Sequence, residues 1–198
     1  LGGKPKTVSE LIQELDAYGG MASKAAHGAH TLHTMVTDPN CTVMMTLSGA
    51  MTPAKMGLII CDFIDRGWTQ YIASTGALMA HGLVEGMGLP HYRYDPTVGD
   101  DTLAANMLNR ITDVLEPEEN LDAAATLINE VLSGYPDAGG VTSPIGFHKR
   151  IGALLAERYP DVRAILKSAY QKGVPIAVPA FVDSELGNDV NVHNRMRM

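Results

Sequence analysis

The stretch 43-VMMTLSGAMTPAKMGLIICDFIDRG-67 reads as an apolar strand that stops at Ser48-Gly49, turns at Thr52-Pro53 and continues with the spacing of an amphipathic helix ending at Gly67. A strand that hands a turn of small residues to a helix start presents backbone N–H groups to an anionic ligand. The usual G-x-G-x-x-G is absent, so the occupant of this turn has to be read from the rest of the chain. Residues 42–47 form a continuous apolar run of the kind found in strands covered on both faces. Pro53 suits the first turn of the following helix, where its missing N–H is not needed.

Working outward, the pattern repeats. Residues 70–73 read as a second short strand, followed by Ser74-Thr75-Gly76-Ala77 and a helix to about Glu85. Upstream, a helix over 8–15 enters through Thr7 or Ser9 and closes at Gly19-Gly20, and a longer one runs over 21–36 to Asp38-Pro39-Asn40. Downstream, prolines, aromatics and aspartates make 89–101 an ordered loop. Helical patterns follow over 103–111, 121–132, 145–157 and 162–171, with a turn-rich gap at 134–140 and a cap at Ser143-Pro144. Residues 175–180 form a third apolar strand, and 182–187 the turn beyond it. Alternating strands and helices with short joints predict an α/β fold with a parallel sheet and helices on both faces. At 198 residues and 45% hydrophobic the chain reads as one domain, with 1–40 a helical N-terminal segment and 41–198 the α/β portion.

Charge and composition exclude several classes. Fifteen basic and 22 acidic side chains give a net of −7 with no basic block, which argues against nucleic acid as a partner. No apolar run approaches the ~18 residues of a membrane span. Cys41 and Cys61, expected in a strand and a helix, read as small buried thiols; with no visible signal peptide, a reducing cytoplasm is the expected location.

Three strands therefore end in small polar turns, at Ser48-Gly49, at Thr75-Gly76-Ala77 and at Asp183-Ser184. In an open parallel sheet these ends share one edge, where ligands bind. Ser48 and Thr75 can bond phosphate oxygens with help from helix-start N–H groups, and Asp183 can accept from ribose hydroxyls or pair with a cation. The plain alternative is that all three are ordinary caps. His27, His30 and His33 recur at a spacing that drifts around a helix, and H-E-x-x-H is absent, so no metal site is expected. His81 lies one turn into the helix after Thr75-Gly76, facing the presumed crevice. Lys167 and Lys172 flank a helix and read as solvated, while Lys55 and Lys149 lie away from the crevice edge. The residues alone support a nucleotide-sized anionic ligand in an α/β sheet.

In order along the chain, CTVMMTLSGAMTPAKM (41–56), YIASTGALMAHGL (71–83), LNRI (108–111) and VPIAVPAFVDSELG (174–187) resemble the deoxyhypusine synthase family and its bacterial look-alikes, from about Ala22 to the last residue. The resemblance implies an NAD-dependent transferase with a Rossmann-like fold, assembled as a homotetramer. In that family NAD takes a hydride from spermidine, diaminopropane leaves, and the butylimine passes through a lysine to an acceptor protein lysine before the hydride reduces it. Position by position, it implies NAD contacts at Ser48, Gly49, Thr52, Thr75, Gly76, Ala77 and Asp183. His81 and Asn188 fall at polyamine-binding positions, where the family carries a glutamate and an aspartate. Both changes remove negative charge, which favours a different amine or acceptor; the alternatives are a homospermidine-forming enzyme and a non-catalytic NAD-binding homologue. The family's catalytic lysine falls beyond Met198, so no residue takes that role and the chain is read as continuing at its C-terminus.

Overall fold

The computed structural model describes residues 7–49, 51–135 and 142–196; the turn-rich gap expected over 134–140 falls largely outside them. The chain divides into two compact units, Leu1–Val43 and Met44–Met198. In the first, α1 (Val8–Asp16) and α2 (Met21–Thr37) pack together. Thr7 starts α1 through a capping box: its hydroxyl oxygen accepts from the Glu10 N–H at 3.2 Å while the Glu10 carboxylate accepts from the Thr7 N–H at 2.9 Å. His27 contacts Asp16 at 3.1 Å, and His30 and His33 are exposed.

The second unit is mixed α/β. In chain order it holds β1 (Met44–Leu47), α3 (Gly57–Asp65), β2 (Tyr71–Ser74), α4 (Gly76–Gly86), β3 (Tyr92–Arg93), α5 (Asp100–Ala105), β4 (Leu108–Ile111) and β5 (Val114–Pro117). It continues with α6 (Glu118–Ser133), α7 (Pro144–Arg158), α8 (Ile165–Lys172), β6 (Ile176–Ala177), a 3-10 turn (Phe181–Asp183) and α9 (Glu185–Met196). Strands β1, β2 and β6 form a parallel sheet in the order β1-β2-β6, with Met44 opposite Tyr71 and Ile72 opposite Ile176. Helix α4 follows β2 directly and packs against α6, α8 and α9, which is why nearly every side of it is buried, from Leu78 and Met79 to Leu83 and Val84.

Several expectations change. β1 is an edge strand with an exposed-and-half-buried alternation, so it is not covered on both faces, and Cys41 precedes it. Pro53 lies in a run of turns over 51–55, and α3 begins only at Gly57. The helix expected over 103–111 stops at Ala105, because Met107 adopts φ 54° and the chain then enters a β4–β5 hairpin whose turn residue Thr112 has φ 56°. β5 also pairs with β3, inside the segment expected to be loop. The turn expected through Gly187 gives way to α9 from Glu185.

Lys167 is not solvated. It is 7% exposed, and its Nζ donates to the carbonyls of Tyr159 (2.8 Å), Pro160 (2.6 Å) and Val162 (2.9 Å), shaping the connection between α7 and α8. Among the described residues, no helix is long and apolar enough to cross a membrane.

Candidate functional site

The carboxyl ends of the parallel strands open into one crevice of about 580 Å³. Leu47 and Gly49 line it from β1, Ser74 to Ala77 from β2, and Pro179, Ala180 and Asp183 from the segment after β6. Backbone geometry holds the walls together. The Thr75 N–H donates to the Leu47 carbonyl at 3.3 Å, joining the first two turns, and Gly49 makes its turn at φ 62°.

Thr75 is the N-cap of α4, yet its hydroxyl caps no N–H of the helix and stays exposed at the crevice. The first-turn N–H groups after it have no carbonyl within the helix to bond. Asp183 is also exposed, and among the described residues no hydrogen bond or ion pair occupies its carboxylate. Together these features place unpaired donors and one acid around a single opening.

Gly76 is required for packing. A methyl group there would overlap the Ser184 side chain, whose hydroxyl donates to the Phe181 carbonyl (2.6 Å) and accepts from the Gly187 N–H (3.1 Å). Glycine thus lets the third turn lie against the start of α4. Gly76→Ala should push these walls apart and cost about 1–3 kcal/mol, the usual range for overpacking. Urea unfolding of variant and wild type measures it, and equal midpoints would contradict this close approach.

The structure does not gather every residue singled out from sequence. Ser48 is exposed between two lining residues but does not itself line the crevice. Thr52 is buried and its hydroxyl donates to the Leu78 carbonyl at 3.0 Å, so it fastens the 51–55 turns to α4 instead of facing a ligand. Asn188 is exposed on α9, and neither it nor His81 lines the crevice. Among the lysines, Lys55 pairs with Glu85 at 2.6 Å and Lys149 is exposed beside a separate hollow near His148. Pro179 and Ala180 complete the crevice wall without any chemical signature that sequence alone could have flagged.

His81 instead belongs to a second, buried group. Its Nδ1 lies 3.0 Å from Oε2 of Glu116 on β5, and Nε2 of His91, just before β3, lies 3.1 Å from the other Glu116 oxygen. The opposite nitrogen of His91, Nδ1, lies 3.4 Å from Glu85. Burial alone would push the Glu116 carboxyl up, but the His81 and His91 rings bring it down to about 2. Burial would likewise depress His91, yet Glu116 and Glu85 raise it to about 9.

The family model for deoxyhypusine synthase matches residues 10–198. Probable deoxyhypusine synthase 1 of Methanosarcina mazei is 32% identical over 181 residues, which are 91% of this chain and 55% of that protein. The deoxyhypusine synthase-like protein of Chlorobaculum tepidum is 29% identical over 185 residues, 91% of this chain and 51% of that protein. A crystal structure from Entamoeba histolytica, assigned as a deoxyhypusine synthase, matches with a TM-score of 0.69 over 99% of this chain and 68% of that one; at 13% identity the likeness is one of fold. The chain spans about half the length of the curated relatives it matches.

Proposed function

Because the chain belongs to the deoxyhypusine synthase family, we propose that the full-length protein is an NAD-dependent transferase. It moves the 4-aminobutyl group of spermidine, or of a related polyamine, through an imine to an amine acceptor, either a protein lysine or a small amine. NAD supplies the hydride acceptor for the first oxidation and returns the hydride at the end, so no net redox change results. In this reading the sheet is Rossmann-like, residues 41–198 are the N-terminal part of an NAD-binding domain, the assembly is a homotetramer and the location is cytoplasmic. The free cysteines Cys41 and Cys61 suit that compartment.

The observation that carries this reading is the convergence of three separate strand-end turns, at Gly49, Thr75 and Asp183, on one crevice. Ligands of open parallel sheets bind at that edge. The Thr75 hydroxyl and the first N–H groups of α4 orient the phosphates, with Gly49 on the neighbouring turn. Asp183 accepts from ribose hydroxyls. Neither Lys55, held by Glu85, nor Lys167, held by three carbonyls, is free to serve as the Schiff-base lysine.

One observation favours an amine other than spermidine as a second reading. The acid nearest His81, Glu116, already faces two imidazoles, which leaves it less able to receive the ammonium groups of spermidine. Calorimetric titration of the full-length protein with NAD should give one site per chain, and Asp183→Ala should weaken it about 10–100-fold through loss of a charged hydrogen bond. Unchanged affinity in that variant would remove Asp183 from the site. With NAD and labelled spermidine, diaminopropane should be released; added putrescine, if it is the acceptor, should yield homospermidine. Binding of NAD with no diaminopropane under either condition would leave a non-catalytic homologue.

A further inference from the structure

The polar group beneath α4 is better arranged to hold a cation than to bond to itself. Side-chain exposure is 0% for His91, 1% for Glu116 and 17% for His81, so two members are sealed and the third opens outward. Their nitrogens and oxygens approach to 3.0–3.4 Å, yet among the described residues His81 Nδ1, both nitrogens of His91 and Glu116 Oε1 have no hydrogen-bond partner. The contacts are close without being aligned as hydrogen bonds. Buried polar atoms left this way in a folded chain call for a specific cause.

The donor atoms of His81, His91 and Glu116 all lie within 4.8 Å of one another. Three donors about 2.1 Å from one tetrahedral ion lie about 3.4 Å apart, so small side-chain shifts bring this set onto a common centre. We propose that His81, His91 and Glu116 form a site for a single divalent transition-metal ion, with zinc the ion that suits its donors best. Two imidazoles and a carboxylate fit a borderline-soft ion better than magnesium or calcium, which take oxygen ligands. Such a set leaves a further coordination position open, and His81 lies on the accessible side.

The surroundings fit the same role. Glu85 lies 3.4 Å from the far nitrogen of His91, where a small shift on metal binding would let its carboxylate accept from that N–H and direct Nε2 toward the metal. Lys55 in turn holds Glu85 at 2.6 Å. Helix α4 carries His81 five residues after Gly76, about 7.5 Å along its axis, so the same rigid element serves the crevice and this centre.

The proposal stands apart from the NAD reading, and its test needs neither cofactor nor substrate. Full-length protein stripped with a chelator is titrated with Co²⁺, following visible absorption, and then with Zn²⁺ in competition. One ion per chain with low-symmetry cobalt bands is expected, together with a higher unfolding temperature in Zn²⁺. Glu116→Gln should abolish the bands. Glu85→Gln should lower Zn²⁺ affinity about 10–100-fold. His30→Gln, on the exposed face of α2, should change nothing. Absence of cobalt bands in the wild-type protein, their persistence in Glu116→Gln, or their loss in His30→Gln would overturn the assignment. The wild-type spectrum decides the matter even where a variant misfolds.

Discussion

Lys167→Met should lower the free energy of unfolding by about 3–5 kcal/mol, a large share of the ~5–15 kcal/mol available to a domain. The ammonium group has three N–H donors, and in this structure each meets a main-chain carbonyl, from Tyr159, Pro160 and Val162. Charge-assisted hydrogen bonds contribute about 1.5–3 kcal/mol each and are not additive. Methionine fills the same channel but supplies no donor, so three carbonyls at the α7–α8 connection lose their partner. Urea unfolding should show a lower midpoint with an unchanged slope. Lys172→Met, at an exposed position, should stay within about 0.5 kcal/mol of wild type. Equal shifts for the two variants would mean the Lys167 bonds contribute nothing to stability.

Acid should destabilise the fold through His148. This ring is 2% exposed, packed against Phe147 and Phe181, with Nδ1 donating to the Ile176 carbonyl at 3.3 Å and Nε2 without a partner among the described residues. Burial pulls its pKa down to about 4, against the raising effect of that carbonyl. An unfolded histidine titrates near 6.5. Above that pH both states are neutral and the group has no effect on pH dependence. As the pH falls from about 6.5 to about 4, the unfolded chain takes up a proton that the folded chain refuses. Stability then drops by about 1.4 kcal/mol per pH unit, about 3 kcal/mol over the window. His148→Gln should remove this part of the slope. Asp189, raised to about 6 by burial, acts in the opposite direction, so the difference between wild type and variant is the quantity to read. Identical slopes for both proteins would exclude His148 as the source.

The parallel sheet was legible because its strands are short apolar runs, each followed by a small-residue turn, and three such turns in one chain point to a common edge. Pairing order was not legible. Nothing local in 42–47 distinguishes an edge strand from a central one, since that depends on which distant segment pairs beside it. The β4–β5 hairpin was hidden for a different reason. Its chain reversals use positive φ at Met107 and Thr112, residues without the glycine or asparagine signal that usually marks such turns.

At the site, turn chemistry pointed to Gly49, Thr75, Gly76, Ala77 and Asp183, which the fold brings together. Thr52 looked equivalent as a residue type, but its hydroxyl is turned inward to Leu78. The group of His81, His91 and Glu116 could not be read from spacing. Its members come from a helix, a loop and a strand of the second sheet, and only the packing of that sheet beside α4 joins them.

The position of β6 carries a consequence for how the molecule comes into being. Ile72 must find Ile176 across roughly a hundred residues, and closing a loop of that size costs about 4 kcal/mol of chain entropy before any contact repays it. On the ribosome, β1, β2 and α4 emerge well before β6. The pocket, needing Pro179 to Asp183, therefore has no complete wall in a nascent polypeptide until the pairing of β2 with β6 forms.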